Sequence, residues 1–468
     1  MFRSVCSRAA LCVLGAVVFF GIASRNASAA SAVVTPPGTT PCKNLASYPT
    51  ISQAVAGVPA GSTVFVCPGT YAEQVVINKN LTLEGVSGNG YVGSAASGEN
   101  NPVIVSPSGG VLVNTTDLYG YPSGQPTAAQ VLVQTLPNIH GVWVTPISVT
   151  ISNLAVDGSN NGLNSCTTDL VGIYYQNASG TVNHVTARYQ ELPPADFGCQ
   201  DGLAIYAQSG YGTGTGTVII ENSSVHDYDK NGITADGVGL VATITSNYIV
   251  GIGATTLIGQ NGIQLSDGAA GKIESNVVTD DVYVNPSDCY TNGACYSATG
   301  ILLYDSGGAS GSPVTISGNT ISNTQGGIVV VTDGAETADY NNVSSNRVTQ
   351  TPAIVVTGYT YLLDAIDLCS NNNTATANTV FYAAGSGVHL DSSCTEPGSV
   401  PSGTGSATNN VVNEACAGVL TGSNGGTASG TSTYSVVETT ASGDACPVGN
   451  GGAPTKPATK LKTQPRRR

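Results

Sequence analysis

Six residues in the middle of the chain have the types that acid and base chemistry uses: Arg188, His226, Asp227, Lys230, Asp280 and Asp281. Their placement is periodic. An asparagine recurs at Asn153, Asn183, Asn222, Asn247, Asn276, Asn319, Asn346, Asn378 and Asn410. Four or five residues past each come Asp157, Arg188, His226 with Asp227, Gly251, Asp280 with Asp281, then the blander Asn323, Gln350, Tyr382 and Glu414. If each asparagine marks one corner of a coil, these side chains leave the same edge of successive coils, about 5 Å apart along the axis. A basic residue beside carboxylates suits general acid and base work on glycosides or uronic acids. In a lyase, Arg188 or Lys230 would be the base, while Asp280 and Asp281 would hold Ca²⁺ against a uronate; no other cofactor is suggested. Tyr189, Tyr228 and Tyr283 would offer rings to sugar faces. The plainer reading is that VHDYDKNGI is a polar turn and that Asp280-Asp281 is a solvated edge.

What would position these residues is a repeat of about thirty residues. Gly or Ala followed by an aliphatic run recurs as GIYY at Gly172, GLAIY at Gly202, GITA at Gly232, GIQL at Gly262, GILLY at Gly300, GIVVV at Gly327, GVHL at Gly387 and GVL at Gly418. A second strand carries the asparagines, as in VTISNLAV and VIIENSSV. Two short strands per coil, rich in Val, Ile and Thr and bounded by Gly, Asn, Ser and Asp, predict about nine coils of an all-β solenoid. Such strands cannot bury their apolar faces alone, so each coil must cover the next. The asparagines read as a turn ladder in left-handed backbone, and Asn222 and Asn342 as ladder residues rather than glycan acceptors. Ile51, Ala54, Val55 and Val58 fall at helical spacing and predict a short amphipathic helix capping the open end. Trp143, the single tryptophan, reads as core.

Composition bounds the partners. Residues 1–29 read as a signal peptide, with Arg3 and Arg8 before an apolar run and Ala27-Ser28-Ala29 at the cleavage site, so the product is expected outside the cytoplasm, extracellular or periplasmic. No other segment is long and apolar enough to span a membrane. Of the fifteen basic residues only Lys43, Lys79, Arg188, Lys230, Lys272 and Arg347 lie in the body, against all 29 acidic ones, which excludes nucleic acid as a partner. The same shortage argues against tight, unaided binding of a polyanion. Residues 447–468, rich in Gly, Pro and Lys and ending in Arg466-Arg467-Arg468, are expected to be a disordered basic tail, leaving 30–446 as one domain and the protein a monomer. After the signal, ten cysteines remain. Sequence order suggests, without fixing it, the pairs Cys42 with Cys67, Cys166 with Cys199, Cys289 with Cys295, Cys369 with Cys394 and Cys416 with Cys446. Zinc is disfavoured, because the chain has no Cys-x-x-Cys and four scattered histidines.

The opening from Tyr48 to Val86, with a helix, Ala60-Gly61-Ser62-Thr63, a valine strand, Gly69-Thr70-Tyr71-Ala72-Glu73 and Leu81-Thr82-Leu83-Glu84-Gly85, resembles bacterial proteins of the pectin-lyase-like superfamily. The resemblance implies a right-handed parallel β-helix. That superfamily includes pectin methylesterases, pectate lyases, polygalacturonases, alginate epimerases and non-catalytic surface proteins, so fold alone does not fix function. Gly69 to Glu73 matches the Gly-x-Tyr-x-Glu motif of the methylesterases, a structural motif. Their catalytic motifs are missing, as are those of polygalacturonases and alginate epimerases, for which Asp280-Asp281 and His226-Asp227 are fragments.

The insertions after Asp157, after Tyr189 and after Asp281 leave one corner and could wall a groove, with Cys166 and Cys199 tying two of them. A second acidic column, Asp236, Asp267, Asp305, Asp333 and Asp391, follows the glycine strand; stacked carboxylates must splay into water or share cations, and water is expected. Two functions remain open. One is binding or processing of extracellular polysaccharide, by lyase or glycoside hydrolase chemistry if catalytic. The other is a structural or adhesive surface solenoid without chemistry.

Overall fold

A computed structural model describes residues 30–86, 101–120, 123–284, 295–332, 338–350, 354–356, 359–361, 364–391, 404–422, 425–442 and 461–463. The chain is a right-handed parallel β-helix. One face is a sheet of fourteen strands, and the remaining coil strands join in a second sheet of twenty-three. Each middle coil has three strands where two were expected, as in Gly216–Glu221, Ser224–Tyr228 and Asn231–Asp236. The extra strand escapes a pattern reading because it is about five residues long and follows a single left-handed residue, Asn222 at φ 50°.

The apolar column inside the stack sets the register. Val131, Ile173, Ile205, Ile233, Ile263, Ile301, Ile328, Ile366 and Val388 pair coil to coil, and each is fully buried. Burying such a side chain contributes about 1.5–3 kcal/mol, so these ladders outweigh any preference of the corners. They also overrule the even thirty-residue spacing of the glycines: Ile173 pairs with Ile205, which puts Gly172 opposite Ala204 and leaves Gly202 in a preceding turn at φ +79°.

The asparagine column splits in the same way. Asn247, Asn276, Asn319, Asn346, Asn378 and Asn410 form a buried ladder, in which each side-chain amide donates to the next Oδ1 at 2.9–3.1 Å and to a backbone carbonyl of the preceding coil. Asn153 and Asn222 instead hold the left-handed corner one position earlier, a place that His184, Ser246 and Ser275 also take. Asn183 sits one position earlier still, in strand register with Glu221. Asn222 is exposed and Asn342 lies on a strand, so neither belongs to the ladder.

The capping helix, α1 (Ile51–Gly57), buries Ile51, Ala54 and Val55 over the open end. Thr50 caps it by accepting from the Gln53 amide, and the Glu73 carboxylate accepts from the Ile51 and Ser52 amides at 2.8 and 2.9 Å. Lys79 Nζ donates to the Val58 carbonyl at 2.6 Å. The Gly-x-Tyr-x-Glu motif is therefore a clamp on the helix terminus.

Disulfides join Cys42 to Cys67 and Cys166 to Cys199, and Cys369 and Cys416 are also disulfide-bonded. Cys289, Cys394 and Cys446 lie outside the described residues, as do Asp333 and the signal segment. Trp143 is half-buried in an excursion rather than in the core. In the tail, Leu461–Thr463 pair in parallel with Cys295–Ser297, which the disordered reading did not include. Among the described residues no helix is long and apolar enough to cross a membrane.

Candidate functional site

The predicted corner residues separate into two groups with different surroundings. Arg188 and His226 are neighbours in register on adjacent strands of the extra face. Arg188 Nε donates to Asp157 Oδ2 at 2.8 Å, and its guanidinium lies 5.6 Å from the Tyr189 ring centre. His226 Nδ1 bonds Asp227 Oδ2 at 2.6 Å, with Tyr189 edge-on to its ring. Tyr189, Asp227 and Asp280 all take left-handed backbone, which bends each strand at the corner. Asp280 is held by Thr279 and Asn323.

Tyr228, Lys230 and Asp281 turn the other way. All three have no exposed surface, which removes them from contact with a polymer in solution. Lys230 Nζ donates to the Gly259 carbonyl at 2.6 Å; burial pushes its pKa down to about 7, against the pull of Asp281. Tyr228 donates to Asp281 Oδ1 at 2.7 Å. Burial raises the Asp281 pKa well above the carboxylate range, Asp280 adding to the rise while Tyr228 and Lys230 oppose it. Asp281 thus answers to a lysine and a phenol, and the Asp280–Asp281 pair does not turn both carboxylates toward one ion. Tyr283 is buried too.

A groove of about 630 Å³ opens on the neighbouring face, where few of the predicted residues lie. Its floor comes from five stacked strands: β1 (Asp169–Gln176), β2 (Leu203–Gln208), β3 (Asn231–Asp236), β4 (Asn261–Ser266) and β5 (Thr299–Tyr304). Two outward columns cross it. One runs Tyr174, Tyr206, Thr234 and Gln264, and the other Gln176, Gln208, Asp236, Ser266 and Tyr304. One wall is the segment around Asp117, Tyr119 and Gln125, and the other holds Cys166, Cys199, Gln200 and Asp201. The Cys166–Cys199 disulfide ties that second wall across adjacent coils, as the sequence suggested.

Asp236 is the centre. Its Oδ2 accepts from Tyr206 at 2.9 Å and Gln208 at 2.8 Å, and its Oδ1 from Tyr211 at 3.0 Å and Ser266 at 2.9 Å. Burial lifts its pKa well above the carboxylate range, and Asp267 and Asp117 lift it further, with Asp267 in hydrogen-bond contact. Two carboxyls in such contact share one proton. Asp267 is the half-buried member and lines the groove from left-handed backbone at φ 51°. Asp117 approaches from the wall and is joined to Asp236 through single atoms: Gln208 Nε2 lies 2.9 Å from Asp117 Oδ1, and the Tyr206 hydroxyl lies 3.3 Å from Asp117 Oδ2. Gln208 is itself fixed by the Tyr174 hydroxyl and the Leu118 amide. Beneath the second wall, burial pushes Asp201 up to about 7 and Asp229 up to about 9. The groove thus joins a protonated carboxyl pair to a third carboxylate, the parts for moving one proton.

The second acidic column was expected to be solvated, and the structure corrects this. Asp236, Asp305 and Asp391 are buried. Asp236 and Asp267 are not stacked in one column, since Asp236 pairs with Ser266 and Asp267 follows one position later. That offset lets them share a proton instead of repelling. Asp117 carried no periodic signal, because it belongs to an insertion before the first regular coil.

On the same face, farther along the axis, Asp367 pairs with His389 in register, and the ligand atoms of Asp364, Asp367 and His389 lie within 4.8 Å of one another. His389 Nδ1 bonds Asp364 Oδ2 at 2.9 Å. Burial raises the Asp364 pKa, but His389 and Ser386 outweigh it and the net shift is downward.

No family model and no curated protein matches the sequence. Among solved structures, the chain is similar to the Agl-KA catalytic domain at 13% identity, covering 84% of this chain and 64% of that one, with a TM-score of 0.46. It therefore spans less than two thirds of that domain's length. DFA-IIIase from Arthrobacter chlorophenolicus A6, solved without its lid in complex with GF2, matches at 15% identity over 88% of this chain and 92% of that one, TM-score 0.45. Pectin methylesterase PemA from Erwinia chrysanthemi matches at 12% identity over 82% and 79%, TM-score 0.31.

Proposed function

We propose that the groove binds an extracellular carbohydrate and cleaves it by acid-assisted glycoside hydrolysis. The observation that carries this reading is the buried Asp236 carboxyl in hydrogen-bond contact with Asp267, with Asp117 joined to Asp236 through Gln208 and Tyr206. Glycoside hydrolysis needs one carboxylic acid to protonate the leaving oxygen and one carboxylate to act at the anomeric carbon. Asp267, facing the groove, delivers the proton to the glycosidic oxygen, and Asp236 behind it, its pKa raised by burial and by Asp267, supplies that proton. Asp117 attacks the anomeric carbon. Water then hydrolyses the glycosyl ester and returns the proton to the pair. Tyr119 and Tyr211, edge to face with ring centres 5.5 Å apart, offer a ring at the rim.

The lyase reading has less support. Its base would be Arg188, tied to Asp157, or Lys230, which is buried. The reading is tested by incubating the chain with a polysaccharide panel and measuring reducing ends. Release by the native chain and its loss in Asp267→Asn and Asp117→Asn, with unchanged circular dichroism, is expected. Full release by both variants would place the chemistry outside this carboxyl cluster, and no release from any member would return the chain to the class of structural or adhesive solenoids.

A further inference from the structure

The charge of the groove bears on which carbohydrate it takes, an inference that rests on the reading above. Asp117, Asp169, Asp201, Asp236 and Asp267 line it, and no Lys, Arg or His is among the described lining residues. The body's basic side chains are engaged elsewhere. Lys43 lies over Phe65, Lys79 caps α1, Arg188 pairs with Asp157, Lys230 is buried and Arg347 lies over Phe381. Lys272 is exposed on the fourteen-stranded sheet, away from the groove. A polyuronate carries a carboxylate on every sugar, so each sugar seated here would place its charge among acids with no cation to meet it.

Calcium does not rescue such a chain at this site. Among the described residues, the single group of three His, Cys, Asp or Glu side chains with ligand atoms close enough to share an ion is Asp364, Asp367 and His389, outside the groove. A cationic amino sugar gains nothing from Asp236, both oxygens of which already accept from four protein donors. The uncharged lining includes Gln125, Gln200, Thr234 and Gln264, whose amides and hydroxyl suit sugar hydroxyls.

We infer that the groove is selective for uncharged glycans and rejects polyuronates such as pectate and alginate. The rejection is electrostatic, so it weakens as salt shortens the screening length.

The test uses the full chain with three kinds of probe: uncharged glucans, fructans and N-acetylglucosamine oligomers; polygalacturonate and alginate, with and without Ca²⁺; and glucosamine oligomers. Expected is release of reducing ends from at least one uncharged glycan, with polyuronates slower by about a hundredfold or more at low salt. Polyuronates should also fail to compete with the uncharged substrate. Turnover of a polyuronate, or of a glucosamine oligomer in preference to its N-acetyl form, would overturn the selectivity and leave the carbohydrate reading standing. Turnover of nothing on the panel would overturn both.

Discussion

The corner cluster around Arg188 and the groove around Asp236 hold similar residue types on adjoining faces, yet their chemistry differs. At the corner the polar groups are paired locally: Arg188 has Asp157, His226 has Asp227, and Asp280 has Thr279 and Asn323. In the groove, carboxyls face carboxyls and phenols, and burial, with Asp267 and Asp117 nearby, lifts the Asp236 pKa well above the carboxylate range. Paired charges at a half-exposed edge contribute little and are poised for nothing. Like charges forced together store a protonation state that water would not allow, which is the more reliable mark of function.

The largest effect that would break this contrast lies in catalysis. Asp267→Asn should lower the rate by about 10²–10⁴-fold, the usual worth of a positioned acid, while Arg188→Ala and His226→Ala should leave it within about twofold. Steady-state rates on the same substrate decide, and the reverse pattern would move the site to the corner. Next is stability. Lys230→Met leaves the Gly259 carbonyl unpaired in the interior and should cost about 1–3 kcal/mol in denaturant unfolding, whereas Arg188→Ala should cost under about 1 kcal/mol. Asn319→Ala removes one rung of the buried ladder and should cost about 1–3 kcal/mol.

The smallest expected effect is on pH. Asp201 and Asp229 have folded pKa values of about 7 and about 9, above their unfolded ones. The folded state therefore binds more protons, so their contribution is fully present below about pH 4 and is lost as pH rises through 7 and 9. Lys230, depressed to about 7, works in the opposite sense, its penalty easing as pH rises above 7. Between pH 4 and 7 the carboxyls prevail, and the melting temperature should fall by several degrees over that window. A melting temperature that climbs from pH 4 to 7 would mean that the buried acids are ionised.

The solenoid was legible because repetition multiplies weak signals: one Gly-Ile-aliphatic strand means little, while the run from Ile173 to Ile366 fixes an axis. Corners were read less well. Asn153 and Asn247 look alike in sequence, but one bends the chain and the other bonds beneath it, and a shift of one residue separates the two roles. The site failed for a related reason. Asp236 and Asp267 were visible as a column, but their diagonal contact depends on strand register, and Asp117 arrives from a wall without any period. Disulfide order was partly recoverable, since Cys166 and Cys199 sit in loops leaving adjacent coils at one edge.

The asparagine ladder begins only at Asn247, where it takes over from Leu154, Val185 and Ser223 in the coils that carry the groove. Below that point one coil can accept the next through the same amide, so the downstream half is modular. A duplicated coil inserted beyond Tyr304 would find ready partners above and below and would lengthen the molecule without disturbing the groove. The upstream half has no such common joint. Evolution can therefore change this protein's length at one end while the other stays fixed by its contents.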